Sequence, residues 1–173
     1  VLQKKNSNYN TDVFTPLIDA VAELSGLKYS SAEEEKRVAM RVIADHIRTL
    51  TCAITDGAVP GNDGRGYVLR RILRRASRYA RKLNLNKPFL FEIVDTLVKT
   101  MGEVFPEIKE KKEYVKKVIK GEEVNFNVTL DRGIDLFEEL IKGLEKDKVK
   151  IIPGEDLFML YDTYGFLIDL TNV

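Results

Sequence analysis

The side chains best suited to chemistry in this sequence are arginines. Arg65, Arg70, Arg71, Arg74, Arg75, Arg78 and Arg81 crowd together with Lys82, and residues 64–91 contain no acid. At about 100° per helical residue, the cations from Arg70 to Lys82 fall in an arc of roughly 140°. Leu69, Ile72, Leu73, Ala76, Tyr79, Ala80 and Leu83 fill the opposite arc. A guanidinium is a planar fork of donors that matches paired phosphate or carboxylate oxygens. Solvated helix faces usually mix signs, because like charges at i,i+4 repel by about a few tenths of a kcal/mol per pair. Arg70/Arg74, Arg71/Arg75, Arg74/Arg78 and Arg78/Lys82 are all like pairs. Compensation must therefore come from outside the helix. Three sources are open: the phosphates of a nucleic acid, acids of a neighbouring helix (Glu92 to Glu123, or Asp131 to Glu139), or another partner. Some arginines can serve both a polyanion and an internal acid.

The loop before these cations, Gly61-Asn62-Asp63-Gly64-Arg65-Gly66, sets small polar residues and backbone N–H groups at a helix N-terminus. That arrangement favours anions. It is no Walker loop, because no Gly-Lys-Ser/Thr follows, and no dinucleotide fingerprint, because no strand precedes it. Without the arginines it reads as an ordinary Gly-rich helix–helix turn. His46 and Cys52 are the only residues of their types. They support no Ser-His-Asp triad, no Cys-His dyad, no disulfide framework and no His- or Cys-based metal site. His46 lies on an apolar helical arc and reads as a packed core residue; Cys52 reads as buried and inert. Residues 107–123 mix both signs around Ile108, Val115 and Ile119, the pattern of a solvated amphipathic helix. Asp162 and Tyr164 read as fixing a domain junction. No catalytic residue and no metal ligand is assigned.

The elements that position these groups follow from periodicity and breakers. Asp12 or Thr11 is expected to cap a helix over 13–25, ended by Gly26. Ser30-Ser31 with Glu33 and Glu34 resembles a capping box opening a helix over 32–55. Its inner face would carry Val38, Val42, Ile43, Ile47, Leu50 and Ile54. Residues 56–66, with four Gly and one Pro, form a tight loop. Further helices are expected over 66–83 and 89–102, then from Pro106 to about 120 with an interruption at Gly121. The longest helix is expected over 122–146, with Phe126, Leu130, Ile134, Phe137 and Ile141 as its apolar stripe. A short helix over 155–164 ends at Gly165. Val149–Ile152 and Phe166–Leu170 are the only strand candidates. The expected fold class is all-α, a multi-helical bundle of about six to eight helices with little or no β.

Composition agrees with one folded unit. The 173 residues are 44% hydrophobic and 32% charged, and 28 Lys+Arg nearly balance 27 Asp+Glu. That much apolar content is enough for a core and argues against disorder. No apolar run approaches the length of a membrane span, about 18 residues. No signal peptide is visible, so the expected location is cytoplasmic. Val1 rather than Met at the start is what a segment of a longer chain would show.

Residues 44–83 (ADHIRTLTCAITDGAVPGNDGRGYVLRRILRRASRYARKL) closely resemble the segment that follows the class II catalytic core in the alanyl-tRNA synthetases. Residues 8–14 (NYNTDVF) resemble the family's stretch just after the last catalytic motif, where an acid often stands in place of Asn10. Residues 161–171 (YDTYGFLIDLT) resemble the junction leading to the editing domain, with Leu167 where the family usually has Pro. The resemblance implies a single helical domain over 1–173. Residues 1–12 would link it to the catalytic core, and residues 165–173 would begin the linker to the editing domain. It also implies a parent enzyme that uses ATP and Mg to activate alanine and transfers it to tRNA(Ala). The parent's zinc lies in the editing domain, and this stretch holds no cofactor.

By resemblance, the domain contacts the tRNA acceptor stem and helps read its G·U wobble pair. Asn62 looks like the family's base-contacting Asn, and Glu138, with Asp135 one turn earlier as the alternative, like its second base reader. The family role agrees with the chemistry of A-form RNA, which offers a wide minor groove where guanine alone presents an amino donor. An Asn oxygen or a carboxylate is a suitable acceptor for it. Arg65, Arg70, Arg71, Arg74, Arg75, Arg78 and Arg81 would then hold the backbone and set register.

Overall fold

The computed structural model describes residues 3–146 and 151–164. Among them are seven α-helices and one short 3-10 turn, with no strand. The all-α class is thus the one the chain adopts. The helices are α1 (Thr15–Ser25), α2 (Glu34–Thr55), α3 (Gly64–Arg81), α4 (Leu90–Met101), α5 (Pro106–Glu110), α6 (Lys112–Lys146) and α7 (Gly154–Tyr164). They fall into two compact units, Val1–Val124 and Asn125–Val173, and α6 contributes residues to each.

In the first unit α2 is central. Ala39, Met40, Ile43, Ala44, Ile47, Leu50 and Ile54 are fully buried. Val38 and Val42, expected beside them, are only half-buried. The α2 stripe meets Leu17, Ile18 and Val21 of α1, Leu69 and Leu73 of α3, and Leu90, Ile93 and Leu97 of α4. Each such aliphatic side chain contributes about 1.5–3 kcal/mol on burial. The buried face of α3 also carries Ala76, Ser77 and Ala80. These small residues let its backbone approach the core closely.

Helix starts differ from expectation. Neither Asp12 nor Thr11 caps α1 with its side chain. Phe14 holds the N-cap position, and Pro16 sits in the first turn, where its missing N–H is no loss. Asp12 instead accepts from Gln3 Nε2 at 2.6 Å. The Ser30–Ser31 capping box does not form, because a turn at Lys28 takes the N–H groups of Ser31 and Ala32. α2 opens at Glu34, whose carboxylate receives Arg37 and Arg41.

Gly121 does not interrupt a helix. It lies inside α6, and an interior Gly costs only about 1 kcal/mol against Ala, which the surrounding packing outweighs. The break falls at Lys111 instead, between α5 and α6. There the Lys111 ammonium donates to the Thr55 carbonyl at 2.8 Å, a cation on the C-terminal end of α2.

Residues 107–123 are likewise not a simply solvated face. Ile108, Val115 and Ile119 are buried as expected, but several charges are structural. Asp95 of α4 holds Lys112 at 2.6 Å and Lys116 at 2.7 Å. Burial would raise the Asp95 carboxyl, yet hydrogen bonds from the two lysines outweigh it and hold it below its ordinary range. Glu123 is 1% exposed and accepts from the N–H groups of Phe89 (3.0 Å) and Leu90 (3.1 Å), capping α4 from a different helix. Burial pushes its carboxyl up to about 7, against the pull of those two donors.

In the second unit, Phe126, Leu130 and Phe137 of α6 close over Leu160 of α7, with Ile134, Ile141, Ile152 and Tyr164 around them. This is the stripe the sequence shows. Ile151 and Ile152 are not in a strand. Val149 and Lys150, the candidate strand Phe166–Leu170, the Gly165 terminator and the side chain of Asp162 lie outside the described residues.

A carboxyl raised from 4.5 to about 7 binds its proton more tightly in the folded chain. Its stabilising contribution is therefore complete below pH 4.5 and lost as pH rises through 7, an effect on the order of 3 kcal/mol. Urea melts across this window should show that decline, and Glu123→Gln, which keeps an oxygen acceptor but no charge, should flatten it. Glu123→Ala, which orphans two buried N–H groups, should destabilise by about 1–3 kcal/mol below pH 4.5, and that penalty should shrink as pH rises through 7.

Candidate nucleic-acid interface

The loop before α3 is built by backbone contact. Gly61 N–H donates to the Gly66 carbonyl at 2.9 Å, folding residues 61–66 onto the first turn of the helix. A Cβ on Gly66 would stand 2.7 Å from the Val59 carbonyl oxygen and 3.1 Å from the Gly61 nitrogen. Both obstacles are main chain, so no rotamer change relieves them. Asp63 occupies the N-cap position in extended conformation without a side-chain cap bond. Asn62 projects from this fixed loop, exposed, and its Oδ1 accepts from Arg70 Nη1.

Arg70 is itself held. Its Nε lies 2.7 Å from Glu122 Oε1, and its Nη2 donates to Glu122 Oε2 at 3.2 Å. Both side chains are largely buried, 22% and 13% exposed.

The cationic face of α3 divides lengthwise. Arg70, Arg74, Arg78 and Arg81 span roughly the first 80° of the arc and are half-buried. Burial pulls the Arg74 guanidinium below its ordinary value, while the nearby Glu122 charge opposes that shift. Arg81 donates to Asn86 Oδ1 at 3.2 Å. Arg71, Arg75 and Lys82 occupy the remainder and are exposed, as is Arg65 in the first turn. Lys82 reaches Glu35 of α2 at 2.7 Å. Among the described residues, Arg65, Arg71 and Arg75 form no ion pair. The expectation of one uniform ridge is thereby refined into an inner row engaged by the fold and an outer row turned to water.

Two tyrosines support the outer row. The Arg71 guanidinium lies 5.8 Å from the Tyr67 ring centroid, and that of Arg75 lies 5.8 Å from Tyr79. A π face steadies a cation without using its N–H donors, at about 0.5–1 kcal/mol for an exposed site. Sequence reasoning left out Tyr67 and placed Tyr79 only on the apolar arc, although the four-residue spacings 67/71 and 75/79 signal both contacts. It also left Glu122 as one of many possible acid partners.

Asp135 and Glu138 belong to the second unit, whereas Asn62 and the seven arginines belong to the first. Both acids are exposed on α6, and Glu138 Oε2 lies 4.0 Å from Lys142 Nζ, a weak surface pair. His46 is half-buried with Nδ1 3.4 Å from Asp45 Oδ2. Burial, helped by Arg75, outweighs Asp45 and keeps its pKa below the ordinary value. Cys52 is half-buried rather than fully buried, and burial raises its thiol above the ordinary pKa. Among the described residues, no three His, Cys, Asp or Glu side chains gather to hold a metal ion. Nor is any described helix long and apolar enough to cross a membrane.

Fold and site together define a helical domain with a fixed polar loop at the head of a cationic helix. The chain belongs to the family of class II tRNA synthetases (A), whose profile matches residues 1–173. It is 56% identical over 174 residues to the alanine–tRNA ligase of Chlorobium chlorochromatii and 52% identical to that of Chlorobaculum tepidum, each comparison covering 100% of this chain. It is 50% identical over 172 residues to the alanine–tRNA ligase of Bacillus cytotoxicus, covering 99%. The chain spans about a fifth (20%) of the length of these relatives.

The closed approach at Gly66 gives a direct test of the loop. Gly66→Ala should lower stability by about 1–3 kcal/mol in thermal or urea melts. It should also displace Asn62 from Arg70, visible as a changed Asn62 side-chain amide resonance.

Proposed function

We propose that this chain is the acceptor-stem-binding segment of an alanine–tRNA ligase. The parent joins alanine to tRNA(Ala) with conversion of ATP to AMP and pyrophosphate, in the cytoplasm. In this reading ATP and Mg are held by the catalytic segment and zinc by the editing segment, both outside residues 1–173 and both neighbours of this domain. The observation that carries the reading is the outer row of α3. Arg65, Arg71 and Arg75 face solvent with no carboxylate partner among the described residues, while the same helix begins at the Asn62 loop. Phosphates supply the missing counter-charge, and the loop reaches a base edge in the shallow minor groove.

Asn62 contributes to reading the G·U wobble pair, with Glu138 or Asp135 as the second reader. A guanine amino group in that groove is a donor, and a carboxylate is a fitting acceptor for it. The inner row, Arg70, Arg74, Arg78 and Arg81, serves the fold first and the backbone second.

Binding of acceptor-stem RNAs to the full-length protein separates these roles. Arg71→Glu combined with Arg75→Glu should weaken G·U and G·C stems alike. Asn62→Ala should cost about 1–3 kcal/mol for the G·U stem and leave the G·C stem unchanged. If the arginine pair changed nothing, the outer row would belong to a protein interface of a helical scaffold instead. If Asn62→Ala left discrimination intact, its assignment as a base reader would be wrong.

A further inference from the structure

An arginine side chain has only donors, so the Asn62 atom that meets Arg70 Nη1 must be its carbonyl oxygen. Arg70 is poorly placed to let go. Its Nε and Nη2 edge lies against both oxygens of Glu122, with Nη2 donating to Oε2, and its side chain is 22% exposed. The backbone below Asn62 is fixed by the Gly61–Gly66 hydrogen bond. The Asn62 amide is therefore oriented before any ligand arrives. One lone pair of its oxygen faces the guanidinium, and its Nδ2 donors have no acceptor among the described residues.

We propose that Glu122 and Arg70 are positioning residues that make Asn62 a hydrogen-bond donor, so that it reads an acceptor atom of the minor groove. This inference rests on the assignment of Asn62 to base recognition. The acceptors in that groove are guanine N3, pyrimidine O2 and the ribose 2′-oxygen; the guanine amino group is the one base-edge donor. In this role the Asn62 amide gives hydrogen bonds and takes none from the base edge. Arg70 thereby serves Asn62 first and the backbone second, since at most three of its five N–H donors are engaged by Glu122 and Asn62. Preorganisation of this kind spares the ordering of a side chain on binding.

The test measures binding of the full-length protein to acceptor stems carrying G·U, I·U or G·C at the wobble position. Inosine lacks the guanine amino group. As a donor to an acceptor atom, Asn62 should be missed equally by both wobble stems, so Asn62→Ala should weaken G·U and I·U by the same factor, about fivefold or more. Asn62→Asp, which keeps an oxygen for Arg70 but has no N–H, should lose as much as Ala. Glu122→Gln and Arg70→Lys should each lower the ratio of G·U to G·C affinity several-fold, a readout that uniform loss of folded protein or of a phosphate contact does not move. Thermal melts identify any variant that fails to fold, in which case Arg70→Lys carries the test. An Asn62→Ala effect that vanishes on the I·U stem, or an Asn62→Asp protein that matches the parent, overturns the donor role. Unchanged ratios in Glu122→Gln and Arg70→Lys overturn the positioning role and leave the proposed function standing. If Asn62→Ala affects no stem, the base-reader assignment falls and this inference with it.

Discussion

Repulsion within an acid-free run of cations is the constraint around which this domain is arranged. Two unit charges 4 Å apart cost about 1 kcal/mol in water and about 4 kcal/mol at the effective dielectric of a protein surface. The half-buried row of α3 therefore needs charge from elsewhere, and Glu122 supplies it at Arg70 and, at longer range, at Arg74. In the exposed row, Lys82 pairs with Glu35, while Arg71 and Arg75 are left to water and to the faces of Tyr67 and Tyr79. Arg65, Arg71 and Arg75, which form no ion pair among the described residues, keep a cationic strip on the helix that begins at the Asn62 loop. A stable fold and an exposed cationic surface thus come from one helix by dividing its polar arc.

The start of α6 does much of this arranging. Glu122 and Glu123 are adjacent, hence about 100° apart on the helix, and they serve different neighbours: Glu122 the guanidinium of α3, Glu123 the N-terminal N–H groups of α4. Lys112 and Lys116 grip Asp95 of α4, and Lys111, just before the helix, closes the C-terminal end of α2. The polar groups of one short stretch thereby fix three helices.

What the sequence revealed follows from the range of the forces involved. The apolar stripes of α2, α3 and α6 were readable because helical periodicity is local and burial dominates the energy. Core residues such as Ile43, Ile47, Leu50 and Phe126 are buried where the pattern puts them. Breakers were readable at Gly26 and over 56–66, although residues 64–66 form the first turn of α3, but misleading at Gly121, where packing outweighs a weak propensity. Caps were read from Ser and Thr spacing, whereas this chain caps α4 with Glu123 from 33 residues away, beyond any local pattern. At the candidate site, the cationic arc and the Asn62 loop were visible. The partition of the arc, and the contact that turns the Asn62 amide, depend on which helix α3 faces, and that is a long-range fact.

The salt dependence of RNA binding tests the central claim most directly, because contacts between phosphates and cations release counterions. For the full-length protein and an acceptor-stem duplex, the logarithm of the binding constant should fall linearly with the logarithm of salt concentration. Replacing Arg71 and Arg75 by Ala should make that line shallower. A line that is flat, or one whose slope the two replacements leave untouched, would contradict the assignment of the outer row to the sugar–phosphate backbone.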